Sequence, residues 1–308
     1  MRSWVMRLVG VALVLALGIA IGAGPLQKSN QTRDDELTAQ KRKVVEKEHQ
    51  IASLRAGEKY SSAYAAATAP DLVRNVLKGR SVTVLALPGA DPNTVGGVRN
   101  LIAAAGGKVT AQVTFKPVMG RASSRQLVEA LTSQMATQNP DLQIPATASG
   151  FQRFGLLLAR AVGLPADSAQ DTAPYDETAV GIVSGLQTAG LVTATDPTAR
   201  ADLTVAVTGP AAENADAAGA NAVPATILQS YAGQAPVVVA GPASAAGPLG
   251  VLGSLRSGGA VAGLSTVDTA ESVSGQVTTI LALAALGRGN TGSWGGVDAK
   301  DGPVPPLS

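Results

Sequence analysis

The sequence predicts an α/β chain in four parts. A membrane-spanning helix occupies 1–27, a coiled-coil helical stalk 28–69, an exported α/β domain with a mostly parallel sheet 70–289, and a flexible tail 290–308. Three observations predict it. Residues 8–27 carry no charge; eight basic and six acidic residues crowd 28–59; and beyond them short Val-rich runs alternate with stretches of helical spacing.

The first element follows from length. Twenty uncharged residues at about 1.5 Å rise span roughly 30 Å, the thickness of a hydrocarbon core. Arg2 and Arg7 stand just before the run and favour a cytoplasmic N-terminus. The alternative is a cleaved signal peptide, with Ala20-Ile21-Gly22 as a small-x-small site and Gly24-Pro25 breaking the helix. The apolar run is long for a signal peptide, which favours an uncleaved anchor, and either reading exports the rest of the chain. Gly18 and Gly22 form a GxxxG pair that could pack two such helices, although such spacing arises easily in a chain this rich in Ala and Gly.

The stalk is read from a seven-residue recurrence. Leu37, Val44 and Ile51 take the a positions and Leu54 a d position, with Gln40 and Lys47 at the other d positions. This seam predicts a homodimer through the stalk; the competing reading is a single solvated helix laced by charge pairs. The lone histidine, His49, falls at an f position on the solvent side. Gly57 and Pro70 are expected to end or bend this helix, with helical spacing resuming at 71–77 and stopping at Gly79.

In the exported domain, 81–87 (SVTVLAL) reads as a buried strand, 93–105 as a helix ending on Gly106-Gly107, and 108–115 (KVTAQVTF) as a second strand. Helical spacing returns at 123–137, 150–162 and 176–188. Strands are read at 191–193, 202–207, 236–240 (PVVVA) and 263–267 (GLSTV), and an apolar last helix at 272–286. Strands separated by helices make the domain Rossmann-like.

Composition removes much chemistry. The chain has no Cys and one His, so thiolate sites, disulfides, iron–sulfur clusters and sites needing two imidazoles are excluded. With its only imidazole in the stalk, the domain cannot hold a Ser–His–Asp triad. The turn after the first strand, Pro88-Gly89-Ala90-Asp91, is neither GxGxxG nor GxxxxGK[ST], and Gly247, Gly250 and Gly253 read as loop glycines. A net charge of +2 and nine aromatics (two Trp, four Tyr, three Phe) give no footprint for nucleic acid. Asp268, directly after a strand, stands where open α/β sheets take ligands; it reads either as a strand-end ligand or as the cap of the last helix.

Three stretches together resemble one family: the anchor RLVGVALVLALGIAIGAGPL followed at once by the charged stalk; SVTVLALPGAD with LIAAAGGKV; and LSTVDTAESVSGQVTTILALAALGRGNTGSWGG. They look like the actinobacterial copper-transport outer membrane protein family of the MctB type, which also takes in SteB-like cell-separation proteins. The chain departs from the family pattern in having Ser3-Trp4-Val5-Met6-Arg7 before the apolar run, and Ser293-Trp294-Gly295 where a Gly-Tyr-Gly-like element is usual.

The resemblance implies a single-pass cell-envelope protein in copper efflux or homeostasis, with copper as transported ion and no resident cofactor. The soft donors left to the exported domain are Met119 and Met135, so a tight copper site within one subunit is not expected. The alternative is a non-enzymatic dimeric scaffold that binds another envelope protein in cell separation or peptidoglycan remodelling. No enzyme activity and no metal or catalytic residues are expected.

Overall fold

The computed structural model describes residues 2–306 except 122, 169–171, 196 and 213–216, and the side chains of 2–36, 217, 218, 220 and 221 lie outside that description. The chain divides into two compact units, 1–61 and 62–308. Among the described residues, no helix is long and apolar enough to cross a membrane. The expected anchor at 8–27 and its packing pair Gly18 and Gly22 fall outside the described side chains.

α1 (Arg2–Leu72) runs through Gly24-Pro25, Gly57 and Pro70, where the sequence suggested breaks. The Ala-rich stretch 63–69 explains the later continuation. Ala is the strongest helix former and one Gly costs only about 1 kcal/mol against it, while the helix ends two residues after Pro70. A turn with Asn75 and Gly79 at positive φ (63° and 80°) then leads into the sheet.

The β-branched runs form strands much as their pattern dictates. β1 (Ser81–Ala86), α2 (Pro92–Ala104) and β2 (Lys108–Phe115) make a parallel βαβ unit. Asp91 caps α2 by accepting from the backbone N–H groups of Asn93 and Thr94. α3 (Ser124–Gln138), α4 (Gly150–Val162), a short β3 (Thr172–Pro174) and α5 (Glu177–Thr188) follow. β4 (Val192–Thr195) returns antiparallel to β2, and β5 (Ala199–Ala201) pairs with β3 outside the main sheet. Then come β6 (Leu203–Val207), α6 (Ala217–Ala232), β7 (Val237–Ala240), α7 (Val251–Ser257), β8 (Leu264–Val267), α8 (Val273–Leu286) and β9 (Ser293–Trp294).

Among the described residues, seven strands form one sheet in the order β4-β2-β1-β6-β7-β8-β9, parallel except at β4. The α/β class with a mostly parallel sheet is therefore as the sequence predicts. Alternate strand residues feed two cores. Val82, Val84, Val205 and Val238 pack with α2, α8 and Val73 and Leu77 on one face. Leu85, Ala206, Val237 and Val239 pack with α4, α5, α6 and α7 on the other.

Four features depart from the expectation. Helix α6 and the β3–β5 pair were not foreseen. Of the glycines read as loop residues, Gly250 does lie in the loop before α7, but Gly253 lies inside that helix, and a Cβ on either would fall 2.0 Å from a backbone oxygen of 245–247. Residues 290–306, expected as a flexible tail, contribute the seventh strand and bury Trp294.

Candidate functional site

Open parallel sheets take ligands where neighbouring crossovers diverge, here between β1 and β6. That crevice is filled by the chain's own backbone. A Cβ on Gly209 would lie 2.4 Å from the carbonyl carbon and oxygen of Gly89, so the loops after β1 and β6 touch directly. Leu87 N–H donates to Val207 O at 2.9 Å, and Thr208 N–H to Ala240 O at 2.8 Å. The strand ends are laced together, consistent with the lack of a phosphate-binding glycine pattern.

Asp268 follows β8 and is fully buried, but it is neither the helix cap nor an open ligand. Ser272 caps α8, accepting from Gly275 N–H at 3.0 Å. The Asp268 carboxylate instead pairs with Arg256 Nη1 at 3.1 Å and accepts from the N–H groups of Gly296 (2.6 Å) and Val297 (3.2 Å). Arg256, at the end of α7, also donates to Thr266 Oγ1 and to the carbonyls of Trp294 and Val297. The pair therefore clamps β9 to the sheet. Sequence reading noticed Asp268 by its strand-end position but missed Arg256, which lies in a Gly-rich stretch with no helical signal of its own.

The soft donors are core side chains. Met119 and Met135 are both buried within the apolar cluster of the α4–α7 face, and a Cβ on Gly185 would come within 2.2 Å of the Met135 methyl. Among the described residues, no three His, Asp or Glu side chains are grouped to hold a metal ion. His49 is exposed on α1.

Along that helix the seam residues are uncovered in the single chain. Leu37, Val44 and Ile51 are 51, 54 and 47 % exposed, and Leu54 74 %. Leaving four aliphatic side chains in water on a charged helix is unfavourable at about 25 cal/mol per Å² of apolar surface.

A second polar cluster escaped the sequence reading because its members are far apart in the chain. Arg160, in the last turn of α4, makes a two-pronged contact with Asp176 at 3.3 and 2.7 Å. Asp176 also caps α5, accepting from Ala179 N–H at 2.9 Å. The hydrogen bond from Arg160 holds its carboxyl below the usual range. Arg200 of β5 donates through Nε and Nη2 to Gly163 O at 3.2 and 3.0 Å, and its Nη1 stands 3.9 Å from Asp176. Burial, and then the nearby Arg160 charge, push the Arg200 guanidinium down from its ordinary value.

Over residues 1–305 the chain matches the family described as copper transport outer membrane protein, MctB. It belongs to that family.

Two relatives show how the MctB family match is distributed. The chain is 27 % identical over 305 residues to the protein named copper transporter MctB in Mycobacterium tuberculosis, and equally to its namesake in Mycobacterium bovis. Each alignment covers 96 % of this chain and 95 % of the relative. The MctB match therefore takes in the apolar N-terminal run, the charged stretch 28–59 and the α/β unit with its clamped β9.

Proposed function

We propose that this chain is a single-pass envelope protein that serves copper efflux or homeostasis, with no enzymatic activity and no tight copper site of its own. The observation that carries the reading is the family match along 1–305. In this reading 8–27 is the membrane anchor, and the α/β domain lies outside the cytoplasm. The stalk pairs two copies through Leu37, Val44, Ile51 and Leu54. Two buried thioethers supply too few accessible soft ligands to hold copper tightly in one subunit. The ion would then move along a low-affinity path in an oligomer, or by way of a partner.

The burial of Met119 and Met135 favours a second reading, in which the same seam serves a scaffold. A helix with four uncovered aliphatic residues at heptad spacing suits a dimeric scaffold, whose α/β domain would bind another envelope protein in cell separation or peptidoglycan remodelling. Deletion of the gene distinguishes the two. Copper transport predicts lowered copper tolerance and raised cellular copper. Unchanged tolerance and copper content, with chained cells or altered wall-hydrolase activation, would reject transport in favour of the scaffold.

A further inference from the structure

We propose that the cavity lined by Arg160 and Arg200 binds an oxyanion carrying a short apolar body, a carboxylate or a phosphate monoester. The site lies wholly within the 62–308 unit. Its volume is about 250 Å³.

Charge is the first argument. Among the described residues, two guanidiniums meet one carboxylate here, which leaves a surplus of one positive charge. Asp176 is committed to Arg160 and to the N-terminus of α5, and approaches Arg200 no nearer than 3.9 Å. Holding a second, largely buried guanidinium beside the first is unfavourable unless an anion shares the space. Both forks are held in place beforehand, Arg160 by Asp176 and Arg200 by the Gly163 carbonyl. A planar oxyanion suits that arrangement, because guanidinium groups bind carboxylate and phosphate in a two-pronged way.

The rest of the lining sets the ligand's body. Leu142, Ile144 and Leu156 supply an apolar wall, and Gln143 and Gln234 add neutral polar groups. Among the described residues, no acidic side chain lines the cavity. Beside the two guanidiniums, that wall suits an oxyanion head with a chain of a few carbons.

The test uses the full chain in detergent, titrated calorimetrically with hexanoate, hexyl phosphate, inorganic phosphate and hexylammonium. The Arg200→Gln protein serves as the control for partition into micelles. Saturable binding of hexanoate or hexyl phosphate is expected in about the millimolar range for ligands this small. The tighter of the two identifies the head group, and inorganic phosphate binds more weakly than its hexyl ester. Arg200→Gln weakens binding at least about tenfold. Asp176→Asn keeps a capping side chain on α5 but removes the internal competitor, and tightens binding at least about threefold. Three results would each overturn the proposal: no saturable binding of either ester or acid up to about 50 mM, hexylammonium binding as well as hexanoate, or affinity unchanged in Asp176→Asn. The last comparison decides the matter even where Arg200→Gln fails to fold.

Discussion

The buried Asp268 carboxylate stands 3.1 Å from the Arg256 guanidinium, and through this pair the end of β8, the end of α7 and the last strand are held as one unit. Their side chains are 0 and 7 % exposed. Removing one partner leaves the other buried and uncompensated. Arg256→Gln or Asp268→Asn should therefore lower stability by about 3–5 kcal/mol in chemical denaturation. Hydrogen exchange should rise first in 292–302. The double variant should cost less than the sum of the two, since the groups share one network.

Gly295 sits against the same carboxylate. Its φ is 134°, and a Cβ there would fall 2.2 Å from Asp268 Oδ1. Gly295→Ala combines backbone strain with a collision and should destabilise by more than about 2 kcal/mol. Gly289 also has positive φ, 84°, but faces open space. Gly289→Ala should cost only about 1 kcal/mol. Thermal melts of the two variants check the order, and equal losses would remove the steric argument.

Tyr231 links pH to stability. It is fully buried, with its hydroxyl 2.7 Å from Thr204 Oγ1. Burial pushes its phenol well above the ordinary value, against smaller downward pulls from the Thr204 hydrogen bond and the Arg200 charge. Above pH of about 10 the unfolded chain ionises this group while the folded one does not, so stability falls as pH rises. Tyr231→Phe should be less stable than the parent at pH of about 8, by about 1 kcal/mol for the lost hydrogen bond. The gap should narrow as pH climbs toward about 11. Melts across that range give the answer.

The stalk carries an oligomeric prediction. Changing Leu37, Val44 and Ile51 together to Ser or Asn should convert a dimer to a monomer in sedimentation of the detergent-solubilised chain, without loss of the α/β domain's far-ultraviolet signal. A monomer in the parent protein removes the paired stalk.

Much of the sheet was legible because its strands are short β-branched runs between glycines. The run SVTVLAL forms β1, KVTAQVTF forms β2 and GLSTV forms β8 with boundaries displaced by at most one residue. α6 was not legible. Its sequence contains Gly219 and Pro224 and shows no helical period, and its place is fixed by packing on α4, where a Cβ on Gly155 would come within 2.3 Å of Ile227 O. β9 escaped for a related reason. Two residues carry no pattern, and their pairing depends on Asp268 and Arg256, distant in sequence. Asp268 stood out by position, but its meaning came from a partner in a stretch that reads as loop. The Arg160–Asp176–Arg200 cluster likewise joins residues on three separate elements.

The central claim is that a chain of the MctB family takes part in copper handling without a tight site of its own. Equilibrium titration of the full-length protein in detergent with cuprous and with cupric ion, against a competing chelator, tests it most directly. The account predicts no stoichiometric binding in the submicromolar range for either ion. A saturable submicromolar site, lost when Met119 and Met135 are changed to Leu, would contradict it.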